Sequence, residues 1–412
     1  MKKVNKNQVL YLSYDGMTDP LGQSQVLPYL AGLSKEGYQI SLISCEKKEL
    51  YHKHKAIIQN ICNNYQIDWH PLFYTRKPPI LSTLFDLSKM YCKARSIYRK
   101  KHFGIIHCRS YITALVGLRF KRKKKIKFIF DMRGFWADER VDGEIWDMQQ
   151  SIFKKVYNFF KKKEKQFLQE ADKIISLTYA GREEMLKWNI TELTKDKIEV
   201  IPCTADFDVF ELNTIETKAQ AKLNLGLRKD QFVLLYIGSL GTWYMLPEML
   251  RFFKALKVHN PDAKFLFLTP HRKEEILNEA VALELKEEDF IIQFAQRVDI
   301  SIYAHAADYG ICFIKPKYSK IASSPTKLGE MLAMGIPIIS NRDMGDTSYL
   351  IQQFKVGFIV DTFKRPDIFQ QIREISKATF EAEQIRQSAE EYFSLKKGVN
   401  RYINVYKTLS IH

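Results

Sequence analysis

The feature that most constrains this chain is an alternation, run through twice. Short apolar segments alternate with longer stretches at helical spacing. In the first half the expected strands are residues 9–14, 38–44, 104–108, 127–130, 173–177 and 197–202. In the second half they are 232–237, 264–269, 290–294, 309–314, 336–340 and 358–361. Such runs, rich in Ile, Leu, Phe and Val and bounded by polar or Gly-bearing turns, read as buried strands. Between them helices are expected at 24–36, 81–101, 151–168, 218–223, 300–307 and 325–334, with a further one starting at Thr178. Three more, at 366–379, 381–392 and about 397–410, close the chain. A polar stretch, 211–228, separates the halves. This order predicts an α/β protein with two Rossmann-like, doubly wound parallel sheets. The domains are set at 1–210 and 211–396, with a final helix of about 397–412 returning to the first.

Composition narrows the class. Of 412 residues, 46% are hydrophobic and 27% charged, which suits large cores and excludes a disordered chain. The formal net charge of +17 calls for an anionic partner. Cys45, Cys62, Cys92, Cys108, Cys203 and Cys312 are scattered without a Cys-x-x-Cys pair, which fits a reducing compartment and no metal site. No apolar run reaches the ~18–20 residues of a membrane span, and the first residues lack the apolar core of a signal peptide.

The most informative stretch runs from Ala322 to Asn341. Ser324 is expected to cap a helix, with Pro325 in its first position and Gly335 at its end. The amides of Thr326 and Lys327 then point out of the helix start without partners, which makes an anion site, and Lys327 adds a full charge. Glu330 lies one turn along on the same side. A phosphate cradle with a carboxylate one turn away suits a nucleotide, diphosphate on the amides and ribose on the acid. The alternative is a plain capped helix packed on a strand, with Glu330 in solvent.

The run from Pro325 to Ile339 resembles the nucleotide-sugar motif of the retaining GT-B glycosyltransferases of family 4, glycosyltransferase group 1. The resemblance covers nearly the whole chain. It implies two facing Rossmann-like domains with a cleft between them. It also implies a nucleotide-sugar donor and no metal or other cofactor. Glu330 matches the family Glu that holds the donor ribose. Three departures stand out. Ala322 occupies the position of a second family Glu. Trp243 and Tyr244 stand where a Lys usually follows Gly238. Cys203-Thr204-Ala205-Asp206 replaces the usual interdomain Asn-Gly-Val-Asp. By the resemblance, Gly22 belongs to a loop over the donor phosphate, Gly238 and Ser239 face the diphosphate, and Arg297 sits in the turn that cups the base. Arg272, after the strand at 264–269, is expected to share the phosphate charge with Lys327.

Acceptor residues are sought at the C-terminal edges of the first sheet, where open α/β sheets bind ligands. Arg109 ends one strand there. Asp131, Arg133, Trp136, Asp138 and Glu139 crowd after another. Carboxylates accept bonds from sugar hydroxyls, and aromatic faces stack on sugar rings. Asp131 is the candidate for orienting the acceptor hydroxyl, with Asp138 and Glu139 as rivals. Arg109 and Arg133 complete the acceptor set. An Asp131–Arg133 pair bracing the loop is the competing reading.

Residues 151–168 place Ile152, Val156, Phe159, Phe160 and Phe167 on one side of a helix, surrounded by six Lys. With the basic run 121–125, this predicts a peripheral anchor on an anionic membrane surface, on the cytoplasmic side. No nucleic-acid motif accompanies the bases, so nucleic acid is not expected. The function expected is transfer of a sugar, with retention, from a UDP- or GDP-sugar to a glycan precursor carried on lipid. Two other classes remain, a silent partner subunit that keeps the fold and a polyanion-binding protein.

Overall fold

A computed structural model of the chain describes residues 5–361 and 367–410. Two compact units divide it, Met1–Pro202 with Gly398–His412, and Cys203–Lys397.

The first unit holds seven strands: β1 (Asn5–Ser13), β2 (Gln39–Glu46), β3 (Asp68–Phe73), β4 (Phe103–Arg109), β5 (Lys127–Asp131), β6 (Lys173–Ser176) and β7 (Ile198–Val200). They form one parallel sheet in the order β3-β2-β1-β4-β5-β6-β7. Its helices are α1 (Pro20–Gln25), α2 (Leu27–Lys35), α3 (Lys48–Asn64), α4 (Leu81–Lys101), α5 (Ser110–Lys124), α6 (Trp136–Asp142), α7 (Ser151–Glu170) and α8 (Tyr179–Lys187). Helices on both faces bury the strands on both sides, so β4 carries no exposed position at all. The order reverses between β1 and β4. Register sets Ser13 beside Arg109 and Arg109 beside Asp131, in one row at the C-terminal edge. That row is where the fold opens a crevice for ligands.

The second unit holds α9 (Ile215–Asn224), β8 (Val233–Ile237), α10 (Leu246–His259), β9 (Lys264–Leu268), α11 (Lys273–Val281), β10 (Phe290–Gln293), α12 (Ile300–Ala304) and β11 (Tyr309–Cys312). After them come α13 (Thr326–Ala333), β12 (Ile338–Asn341), α14 (Thr347–Phe354), β13 (Gly357–Val360), α15 (Asp367–Lys377) and α16 (Ala382–Phe393), while α17 (Leu395–Ser410) belongs from Gly398 onward to the first unit. The sheet is parallel, in the order β10-β9-β8-β11-β12-β13, reversing between β8 and β11. Side chains alternate along β8. Val233, Leu235 and Ile237 pack with Leu328 and Met331 of α13, while Leu234 and Tyr236 pack with Phe252 and Phe253 of α10.

Several expectations change. The helix expected from residue 24 begins earlier, as α1 at Pro20, and Ser24 lies inside it with its hydroxyl on the Pro20 carbonyl. Pro28 has no N–H to give the turn before it, so the helix breaks at Val26 and restarts as α2. The unit boundary falls after Pro202 rather than at 210. Phe207 and Phe210 pack in the second core, and the Arg386 guanidinium bonds their carbonyls. The polar stretch 211–228 is therefore part of that unit and carries α9. In α7 only Phe160, Glu164, Phe167 and Leu168 are buried, and Lys161 turns inward to Asp138 and Glu164. Pro366 and residues 411–412, included in the expected terminal helices, lie outside the described residues.

Candidate active site

In the second unit the site is built on the start of α13. Ser324 does not cap it. The N-cap is Pro325, with no side-chain cap bond, because the Ser324 hydroxyl accepts the Cys203 amide at 3.2 Å. The amides of Thr326 and Lys327 have no carbonyl one turn back to bond, and the N-cap Pro325 supplies no side-chain cap; Leu328 gives its amide to the Pro325 carbonyl at 3.3 Å. Lys327 is buried and donates to the Tyr236 hydroxyl at 2.7 Å, and that hydroxyl donates to the Ser239 carbonyl at 2.6 Å. The ammonium also lies 4.0 Å from the Tyr236 ring centre and 3.6 Å from that of Tyr244. Burial pushes Lys327 down to about 8, against weaker upward pulls from Cys312 and Glu330. A buried cation held by neutral phenols retains attraction for an incoming anion.

Gly238 follows β8 with φ +95°, and a Cβ built there would stand 3.6 Å from the Lys327 Nζ. The positive φ rather than lack of room demands glycine. Glu330, buried on α13, pairs with Arg297 just after β10. The Arg297 guanidinium lies 5.0 Å from the Phe210 ring centre. Thr326, Lys327, Glu330, Gly238, Ser239 and Arg297 therefore belong to one local assembly. Arg272 stands outside it: it is the exposed N-cap of α11, 3.7 Å from Glu275 of its own helix. Ala322 is buried and presents no carboxylate.

In the first unit the C-terminal row of the sheet carries a buried charged cluster. Asp131 is fully buried. Its Oδ2 lies 3.5 Å from His107 Nε2 and 3.9 Å from Arg109 Nη1, and its Oδ1 lies 3.9 Å from Arg133 Nη1. Burial alone would raise this carboxyl. The charges of Arg133, His107 and Arg109 outweigh it and hold the group below its ordinary value. His107, also buried, is pushed down by desolvation, against an upward pull from Asp131. Two tyrosines of α17 close the cluster. The Tyr402 hydroxyl donates to Asp131 at 3.2 Å, and the Tyr406 hydroxyl meets His107 Nδ1 at 2.7 Å. Arg109 reaches the half-exposed Asp15 at 3.4 Å.

Asp138 is placed differently. It lies on α6 and accepts the Tyr157 hydroxyl and the Lys161 ammonium, both at 2.8 Å, so its carboxylate fastens α6 to α7. Glu139 lies half-buried on the same helix. Gly22 sits in α1 rather than in a loop. A Cβ there would come 2.2 Å from the Gly16 carbonyl, so its role is close packing of helix on loop.

Residues 23–209 match the family model described as Glycosyltransferase Family 4, and residues 217–392 match that described as Glycosyl transferases group 1. The chain is a family 4, group 1 glycosyltransferase. No curated relative matches its sequence. Among solved structures, a glycosyltransferase from Rickettsia africae superposes with a TM-score of 0.69 at 17% identity, over 98% of each chain. HepE of Anabaena in complex with UDP-glucose superposes at 0.68 with 12% identity, over 97% of this chain and 99% of that one. The lipopolysaccharide outer core galactosyltransferase WaaB follows at 0.63 with 12% identity, again over 97% and 99%. These likenesses establish a GT-B fold for this glycosyltransferase.

Sequence reasoning missed His107, Tyr236, Tyr402 and Tyr406. Two signals were present. His107 and Arg109 are two apart, on one face of a strand, and Tyr402 and Tyr406 are four apart, on one face of a helix. Neither spacing discloses that the two faces meet.

Proposed function

We propose that this glycosyltransferase moves a sugar from a UDP- or GDP-sugar to a hydroxyl of a cell-surface glycan precursor carried on lipid, with retention at the anomeric carbon. The observation that carries the reading is the start of α13, where uncapped amides, the buried Lys327 ammonium and the Glu330 carboxylate occur together. The amides and Lys327 offset the charge that grows on the leaving diphosphate, the main electrostatic contribution. Glu330 takes the ribose hydroxyls and exchanges its Arg297 contact for them. Arg272 remains a candidate for the phosphate charge only through movement of its exposed side chain. The likeness to a UDP-glucose-bound enzyme supports a nucleotide-sugar donor.

On the acceptor side Asp131, ionised and fixed by Tyr402, is proposed to orient the attacking hydroxyl, with Arg109 and Arg133 setting its charge. The leaving phosphate takes the acceptor proton, so no metal or side-chain nucleophile is invoked. No described helix is long and apolar enough to cross a membrane. The charge of +17 supports peripheral attachment to the inner, anionic face of the cell membrane.

The test is a thermal-shift screen of UDP and GDP on wild type and Glu330→Ala, followed by turnover with UDP- and GDP-sugars on lipid-linked acceptors. A nucleotide shift lost in the variant, together with sugar transfer, supports the reading. A shift without transfer on any acceptor would instead identify a silent subunit, a reading that Ala322 and the missing Lys near Trp243 favour.

A further inference from the structure

We propose that the corner formed by the end of β3 and the first turns of α4 is the surface that docks this protein on an anionic bilayer, inserting Leu81, Leu84 and Phe85. The inference rests on the lipid-linked acceptor reading and deepens it by naming the surface.

Five large apolar side chains are exposed there: Phe73 at 41%, Tyr74 at 36%, Leu81 at 63%, Leu84 at 56% and Phe85 at 58%. Leu81, Leu84 and Phe85 stand at helical spacing on one side of α4. The two segments are tied side by side. Buried Asp86 accepts the Thr75 amide at 2.9 Å, the Thr75 hydroxyl at 2.7 Å and the Tyr14 hydroxyl at 3.1 Å. Lys89 donates to the Phe73 carbonyl at 2.7 Å and pairs with Asp86 at 2.7 Å. The apolar corner is therefore fixed rather than a loose loop, and contiguous apolar surface held in water marks an interaction site.

Charge identifies the partner. Residues 73–85 contain no Asp or Glu, and they include the exposed Arg76 and Lys77. Lys89 lies 4.8 Å from the Phe85 ring centre, and Lys48 lies 5.9 Å from that of Phe73. Apolar anchors ringed by cations suit the interface of an anionic bilayer, where acyl chains take the anchors and headgroups take the cations. The position also fits. Tyr74 packs edge-on against Tyr14 at 5.6 Å, and Tyr14 adjoins Asp15, the partner of Arg109. The corner therefore borders the edge of the sheet that holds Asp131. Helix α7, the anchor expected from sequence, spends Phe160 and Phe167 on the core and leaves only Ile152 and Phe159 largely exposed among its stripe.

The test is flotation of the full chain with vesicles of phosphatidylcholine alone or with about 30% phosphatidylglycerol added as the anionic lipid. Compared are wild type, the triple variant Leu81→Ser/Leu84→Ser/Phe85→Ser, Arg76→Glu/Lys77→Glu, and Ile152→Ser/Phe159→Ser. Wild type is expected to float with the anionic vesicles. The triple variant should lose at least about thirtyfold in partitioning, and the charge reversal about tenfold, both keeping the nucleotide thermal shift. The α7 variant should change by less than about threefold. A Phe85→Trp variant guards against a misfolded triple, since its fluorescence should shift to the blue on adding anionic vesicles. The inference is overturned by a triple variant that partitions like wild type, by a Phe85→Trp emission spectrum that vesicles leave unmoved, or by loss confined to the α7 variant. It is equally overturned by a wild type that ignores vesicles and instead forms a dimer broken by the triple change. Transfer to a water-soluble acceptor with no vesicle binding would remove the docking surface and leave the transferase reading standing. Corner-dependent vesicle binding without transfer on any acceptor would do the reverse.

Discussion

The Lys327 ammonium lies 2.7 Å from the Tyr236 hydroxyl and is buried against two aromatic rings, with no carboxylate bonded to it among the described residues. Burial depresses its proton affinity to about 8. A diphosphate binds the charged form, so nucleotide affinity should be flat below about pH 7 and weaken up to about tenfold per unit above 8. Calorimetric titration of UDP or GDP across this range checks it. Lys327→Met should bind weakly and show no such slope.

The same group makes a stability prediction with the opposite slope. The unfolded chain holds the lysine proton up to the ordinary 10.5, while the folded chain releases it near 8. Between those values unfolding takes up a proton, so the ligand-free protein should gain stability as pH rises through that window. At neutral pH the buried charge costs up to about 3 kcal/mol. Lys327→Met should therefore raise the melting temperature of the free protein at pH 7 while weakening nucleotide binding. A destabilised Lys327→Met would show that the lysine is a structural cation.

Glu330 and Arg297 form an ion pair, and on the proposed reading the nucleotide opens it. Glu330→Gln removes the charge that both Arg297 and the ribose use. Nucleotide affinity should fall about 10- to 100-fold, the value of one or two charge-assisted hydrogen bonds. Stability should change by less than about 1 kcal/mol, because Arg297 is partly exposed and keeps its stack on Phe210. Arg297→Ala should spare or improve ribose binding if the pair is a placeholder. Equal losses in both variants would mean that Arg297 itself contacts the donor.

The fold was legible because parallel strands buried on both faces are written as nearly continuous apolar runs. Twelve of the thirteen described strands follow from such runs, and the 81–101 helix follows from its helical spacing. The one missed, β3, carries Asp68, His70 and Pro71 at an edge and has no such run. At the candidate site, the placement of Thr326, Lys327 and Glu330 on α13 was legible because they are close in sequence and their spacing fixes their side. Their partners were not. Tyr236 and Arg297 lie 91 and 33 residues from the side chains they meet, and Tyr402 lies 271 residues from Asp131. Ser324 was misread for a related reason: a local cap was expected, and the Cys203 amide, distant in sequence, took its hydroxyl.

Asp131 should separate binding from turnover. Asp131→Asn keeps the shape and an acceptor for the Tyr402 hydroxyl, so nucleotide affinity in the other unit should be unchanged, while kcat falls at least about 100-fold. The folded carboxyl is held below its ordinary 3.8. Its contribution to stability is therefore present above about pH 4 and lost as pH falls through the folded value. The stability gap between wild type and variant, about 3 kcal/mol at neutral pH for a broken buried charge cluster, should close in acid. Urea titrations stepped from about pH 7 down to about pH 2 follow the gap through the folded value. A gap that stays constant would mean the carboxyl is protonated in the native state.

Glu46 ends β2 fully buried and accepts four bonds from the chain around it. Met17 and Thr18 give their amides at 2.8 and 3.1 Å, and Thr18 and Ser44 give their hydroxyls at 2.5 Å each. This one carboxylate thus holds the turn that runs from Asp15 into α1, and Gly22 packs against the same turn. Glu46→Ala leaves two buried amides and two hydroxyls without their acceptor, which should cost about 2–4 kcal/mol. Glu46→Gln keeps one acceptor oxygen and should recover about half. Because the turn carries Asp15 to Arg109, the variants should also raise KM for the acceptor more than for the donor. Steady-state kinetics with each substrate varied in turn, the other held saturating, test this. Equal rises in both KM values would make Glu46 a brace for the unit as a whole rather than for the acceptor edge.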